Sequence, residues 1–209
     1  MSVRRRGTLF IVSAPSGAGK TTLCERLRED VPHLEYSISV TTRAPRPGEV
    51  DGKDFEFVSE ARFKELIAAD EFAEHALVHG HLYGTRRSTI ERLLGGGQDI
   101  LLDIDTQGAT KLKRESDKYD WQAVLIFIVA PSMAELEQRL RERRSNNEPD
   151  IARRLARARE EIALWRAYDY LIVNRDVKEA QAQLETIIAA ERLRTSRLTL
   201  HFTDLEVPN

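Results

Sequence analysis

Residues 8 to 21, TLFIVSAPSGAGKT, run from a short apolar stretch straight into a glycine-rich loop that closes on Lys20 and Thr21. That spacing suits the phosphates of a nucleoside triphosphate. Gly17 and Gly19 let the backbone turn its N–H groups inward as a nest for anionic oxygens, and the helix expected next adds the positive end of its dipole. Lys20 is then placed to reach the β and γ phosphates, and the Thr21 hydroxyl to ligate a Mg²⁺ bound with them. The expected cradle comprises Ala14, Pro15, Ser16, Gly17, Ala18, Gly19, Lys20 and Thr21. Ala14 stands where such loops usually open with glycine, which is tolerable if that position needs no positive φ. An ordinary glycine-rich turn would have no reason to set Lys and Thr together at a helix start.

Such a loop needs a strand behind it and a helix ahead of it. Continuous apolar runs recur at 8–13, 36–40, 99–104, 123–129 and 169–173, the pattern of strands buried on both faces of a parallel sheet. Helices are expected at 21–30, 132–143, 150–168 and 177–194, the second opened by Ser132 and Glu135 at capping-box spacing. Leu155, Ile162, Leu184, Ile187 and Ile188 are the core-facing positions of the last two. The fold class is therefore α/β, a three-layer phosphate-loop core around a parallel sheet. Asp103 closes a buried strand, where an acid must lie to assist Mg²⁺ near the loop; Asp105, two residues on, falls on the same side. Asp105 also fits the N-cap of a helix beginning TQGATKL.

The stretch from about 34 to 92 has a different texture. DFEFV at 54–58 alternates, and Gly48, Gly52, Gly80 and Gly84 mark turns, so a small, mostly antiparallel insertion is expected. Residues 141–150, RERRSNNEPD, read as a mobile segment, either a solvated loop or a lid bringing arginines over bound phosphates.

A chain of 209 residues makes one domain or two closely joined ones. Charged residues are 32% of it but sum to −2, so no global field points to nucleic acid or an anionic membrane as partner. The single cysteine, Cys24, cannot form an internal disulfide and reads as a structural thiol in a reducing cytosol. Arg4, Arg5 and Arg6 before LFIV resemble a secretory signal only superficially, because the apolar run passes directly into the phosphate loop. Nothing approaches the roughly 20 apolar residues of a membrane span. His33, His75, His79, His81 and His201 lack metal-ligand spacing with acids or cysteine, so no protein-held metal is expected.

At TTRAPRPGEVDGKDFEFV, residues 41–58, the chain resembles the guanylate kinase family, and the likeness extends over most of 7–190. The resemblance implies transfer of phosphate from ATP to GMP with Mg²⁺, in a cytoplasmic enzyme. It also implies a core of 7–33, 93–140 and 156–190, a GMP-binding insertion over about 34–92, a lid over about 141–155, and an extension at 191–209. Arg43 and Arg46 would grip the GMP phosphate, where planar guanidinium groups can each make two charge-assisted bonds. Ser39 and Tyr83 would add hydroxyls there, unless they merely satisfy local backbone. Glu74, in EFAEHA, matches the residue that reads guanine: an ionised carboxylate accepts from N1–H and N2–H₂ together, and adenine offers neither donor. Thr85 is similar to the second base contact, and is also placed to cap a helix through STIERLL. Asp105 would face the GMP pocket.

On the ATP side the resemblance implies Arg139, Arg143 and Arg154 near the phosphates and Asn174 near adenine. Lys20, Arg43, Asp103, Arg143 and Arg154 would carry catalysis by positioning and by charge compensation. Arg144 stands where glycine usually follows Arg143, and Asn147 and Pro149 fall in a tract that is normally acidic. Phe55 replaces a tyrosine whose hydroxyl binds the GMP phosphate. Two rivals are a related kinase for another phosphorylated sugar or nucleotide, and an inactive module that docks phosphopeptides. Glu74 with Thr85 opposes the first; Lys20, Thr21, Asp103, Arg143 and Arg154 oppose the second. The sequence leaves self-association and dGMP open.

Overall fold

A computed structural model describes residues 2–78, 80–142 and 147–201. In chain order the elements of the first half are β1 (Ser2–Arg5), β2 (Leu9–Ser13), α1 (Lys20–Asp30), β3 (Leu34–Tyr36), β4 (Val40–Thr41), β5 (Glu56–Phe57), α2 (Glu60–Ala68), β6 (Phe72–Val78), β7 (His81–Arg86) and α3 (Arg87–Gly95). They continue as β8 (Asp99–Asp103), α4 (Thr106–Tyr119), β9 (Val124–Val129), α5 (Met133–Glu142), α6 (Glu148–Ala163), β10 (Tyr170–Val173), α7 (Val177–Arg192) and β11 (Leu198–His201).

Five strands pair in the order β10-β9-β2-β8-β3, all parallel, with Val12 of β2 opposite Asp103 of β8. Successive side chains of β2 point to opposite faces, and each face has its own core. Phe10 and Val12 pack with Leu23 and Leu27 of α1 and Leu184 and Ile188 of α7. Leu9 and Ile11 pack with Ile90 and Leu94 of α3 and Leu112 of α4. These are the three expected layers. Leu155 and Ile187 pack against the first cluster from partly buried positions. Cys24 is buried among these side chains, and burial pushes its thiol up, so it stays protonated.

A second sheet, β5-β4-β7-β6, stands beside the first. Its small core stacks Phe63 of α2 on Phe72 of β6 at 4.6 Å between ring centroids, with Val40 and Leu66 around them.

Several expectations need correction. The run at 36–40 is not one strand: Leu34–Tyr36 completes the parallel sheet, Ser37 N–H makes a last bond to Leu101 O at 3.2 Å, and Val40–Thr41 belongs to the second sheet. The insertion is mostly antiparallel as expected, through β4–β7 and β6–β7, but β4 and β5 run parallel and two helices, α2 and α3, accompany the strands. The helix expected to Tyr168 stops at Ala163 and gives way to a tighter turn, Trp165–Ala167. Of the stretch 141–150, residues 141–142 end α5 and 148–150 begin α6, while 143–146 lie outside the described residues. Asn147 caps α6 by accepting from Asp150 N–H at 2.9 Å, and Pro149 lies in its first turn. Both are helix-start residues.

Residues 192–201 are also tied in. β11 pairs antiparallel with β1, and Arg197 of the preceding turn donates to Thr8 Oγ1 at 2.6 Å. Fully buried Asp99 accepts from Thr8 N–H at 2.8 Å and Arg192 Nε at 2.7 Å, and it pairs with Arg5.

Candidate active site

The phosphate loop leaves β2 at Ser13 and enters α1 at Lys20. Gly17 and Gly19 take φ of 94° and 95°, which L side chains rarely adopt, whereas Ala14 has no positive φ. That is why alanine serves at position 14. A Cβ at Gly19 would also come within 2.3 Å of Asn174 Nδ2. Asn174, 1% exposed at the end of β10, donates this amide to Ala18 O at 2.8 Å, and its own carbonyl accepts from Arg139 at 3.0 Å. Both residues therefore brace the loop from the β10 side. Asn174 Oδ1 is buried with no hydrogen-bond partner.

Lys20 lies across the gap between the two central strands. Its ammonium donates to Ile104 O at 3.0 Å and pairs with Asp103 at the end of β8. Burial alone would lower its pKa, but the Asp103 carboxylate more than offsets this and leaves it raised. The β2–β8 register thus places the lysine and the acid together.

Toward the second sheet, Lys20, Ser39, Glu74, Tyr83, Asp103 and Asp105 line one cavity of roughly 250 Å³. Glu74 on β6 is buried, and its Oε1 accepts from the Thr85 hydroxyl on β7 at 2.9 Å. Burial pushes the Glu74 carboxyl up to about 7; the Thr85 bond opposes that shift and the nearby Asp105 charge reinforces it. Thr85 does not cap a helix, because β7 runs through Arg86 and α3 starts at Arg87. Asp105 does cap one: its Oδ1 accepts from Gly108 N–H of α4 at 2.8 Å.

Below this cavity, Arg43 makes a two-pronged pair with Glu49 at 2.8 and 2.9 Å, and its guanidinium lies 5.2 Å from the Phe55 ring centroid. Phe55 in turn meets Tyr83 edge-on at 6.2 Å. Arg43, Arg46, Phe55 and Tyr83 share a cleft with Thr21 and Asp103. Two arginines and a hydroxyl converging on one recess are suited to an oxyanion.

Above the phosphate loop, α6 presents Arg154, which donates to Ser16 Oγ at 3.0 Å. Arg157 and Glu161 line the same cleft and were not singled out from the sequence. Their spacing from Arg154, three and seven residues along one helix face, was the available signal. Arg143 and His79 lie outside the described residues.

A sequence model of the family described as guanylate kinase matches residues 6–191. The chain belongs to the guanylate kinase family. A protein named guanylate kinase from Cereibacter sphaeroides is 48% identical over 193 residues, covering 92% of this chain and 90% of that relative. Another of that name from Geobacter sulfurreducens is 48% identical over 94% of this chain and 95% of its own length. Among solved structures, guanylate kinase from Anaplasma phagocytophilum matches with a TM-score of 0.77 and 36% identity, over 94% of this chain and 92% of that one.

The Glu74 environment makes this site costly to stability. A carboxyl raised from 4.5 to about 7 favours the folded state while protonated, and that contribution disappears as pH rises through the interval. Glu74→Gln is therefore expected to match the wild type in unfolding free energy at pH 4 and to exceed it by about 2 to 3 kcal/mol at pH 8. Urea unfolding at both pH values checks this; an equal difference at the two would contradict it.

Proposed function

We propose that this chain transfers the γ-phosphoryl group of ATP to the phosphate of GMP, giving ADP and GDP, by in-line displacement between two bound nucleotides. The observation that carries the reading is one cavity shared by the phosphate-loop lysine, Lys20, and a buried carboxylate, Glu74. Lys20 serves a polyphosphate and Glu74 serves a base with two adjacent N–H donors, and guanine is such a base. The acceptor is already a phosphate oxygen, so no general base is required.

In this reading the loop N–H groups and Lys20 hold the ATP phosphates, with Asn174 on the adenine side and Arg139, Arg143 and Arg154 approaching the phosphates. Arg43 exchanges Glu49 for the GMP phosphate, assisted by Arg46, Ser39 and Tyr83. Glu74, Thr85 and Asp105 hold guanosine. The strands after β3, with α2, form the GMP-binding insertion, and the α5–α6 junction forms the lid. Thr21 and Asp103 line one cleft and offer the hard oxygen donors that Mg²⁺ prefers. These two residues would hold a Mg²⁺ arriving with ATP, which would supply positive charge to offset that of the phosphates. Lid closure excludes water that would otherwise compete for ATP.

A coupled assay with ATP and each of GMP, AMP, UMP and dTMP tests the reaction. GMP is expected to exceed the others in kcat/KM by at least about a hundredfold, since each buried polar group left unmatched costs about 1 to 3 kcal/mol. Comparable rates with another monophosphate would refute it. Phe55 supplies a ring beneath Arg43 but no hydroxyl. Phe55→Tyr is expected to lower KM for GMP about tenfold and leave KM for ATP unchanged, the gain from one added bond to a charged phosphate. A rise in KM for GMP would show that the phosphate recess is built differently.

A further inference from the structure

Arg157 occupies a position that the phosphate-transfer roles above do not use. It sits one helical turn beyond Arg154 on α6, with its Nε donating to Glu161 Oε1 at 2.9 Å and an Nη 3.3 Å from Asp105 Oδ2. Asp105 is thereby held at both ends. Its other oxygen caps α4 at Gly108, and a Cβ on Gly108 would stand 3.0 Å from Glu74 Oε2. The chain of contacts runs from Ser16 in the phosphate loop, through Arg154 and the α6 backbone, to Arg157, Asp105, the first turn of α4 and Glu74. At its last step Gly108 lies against the Glu74 carboxylate with no room for a side chain between them.

We propose that Arg157 is a positioning residue that couples the two nucleotide sites, holding α6 and its Arg154 in register with the GMP pocket through Asp105. This rests on the function proposed above. Both faces of the link bear on binding. Guanine contacting Glu74 and Asp105 fixes the Asp105 carboxylate, which fixes Arg157 and so presents Arg154 to the ATP phosphates. By reciprocity, a triphosphate on Arg154 must favour GMP by the same factor. Arg157 is about one third exposed, so the ion pair is partly screened and its share of the coupling is modest. Glu161 keeps the guanidinium in place: its own carboxyl is raised by burial, and the Arg157 bond opposes that shift.

The test is calorimetric titration of GMP into the full-length protein, with and without saturating Mg²⁺ and a non-hydrolysable ATP analogue. In the wild type GMP is expected to bind more tightly when the analogue is present. Arg157→Gln should reduce this ratio about three- to fivefold while changing GMP affinity in the absence of analogue by less than twofold. Asp105→Asn, which retains a capping oxygen, should reduce the ratio similarly, and the double variant should reduce it no further. Arg157→Lys should restore part of it. A role confined to folding would alter melting temperature without changing the ratio. If the wild type binds no GMP, the proposed function itself fails. If it binds GMP and the ratio is the same in Arg157→Gln, or absent in the wild type, only the coupling role of Arg157 is overturned.

Discussion

Acidic side chains, half-buried or buried, that face the carboxyl ends of the parallel strands are the constraint around which this molecule is arranged. Three acids gather there, and each is compensated differently. Asp103 has the Lys20 ammonium. Asp105 has the first turn of α4 on one oxygen and Arg157 on the other. Glu74 has a neutral hydroxyl, that of Thr85, and no ion-pair partner among the described residues. A buried carboxylate without a cation is costly, and proteins meet that cost by leaving the group protonated until a ligand supplies donors. In the proposed reaction guanine is that ligand.

The two-sheet construction follows from the same requirement. A parallel sheet covered by helices on both faces concentrates its ligand chemistry at the strand ends, which here bring the phosphate loop and Asp103 together. It offers no dry pocket for a base. The second sheet supplies one by laying β6 against α4, so that Glu74 shares a cavity with Lys20. Beyond the end of β4, Arg43 is held by Glu49 in a two-pronged pair, and in the proposed reaction the GMP phosphate takes that carboxylate's place. Only differential binding of this kind lowers a barrier to transfer, because cations that meet the phosphoryl group late stabilise the transition state more than either substrate.

How much of this was legible in the sequence depends on how local each signal is. The phosphate loop is contiguous, and its glycine conformations are dictated by neighbours, so its position and the tolerance of Ala14 could be read directly. The hydrophobic runs gave the sheet and its layers. The run at 36–40 misled because one apolar stretch passes from one sheet to another, and only pairing with β8 and β7 decides where it breaks. Asn147 and Pro149 were read as loop because the same residues that favour turns also open helices. The β1–β11 pair joins the two ends of the chain, and no periodicity announces so distant a partner. Arg157 was overlooked for a related reason: helix arginines are usually solvated, its spacing from Arg154 and Glu161 marks only a helix face, and Asp105 lies 52 residues away.

In the proposed reaction Glu74, its carboxyl raised by burial to about 7, is partly protonated in the empty protein and must ionise to receive guanine. Titrating GMP at pH 7 in buffers of different ionisation enthalpy measures the protons released per ligand bound. With the carboxyl raised to about 7, the wild type should release about half a proton more per GMP than Glu74→Gln, the phosphate of GMP contributing equally to both. Equal proton release by the two proteins would contradict it.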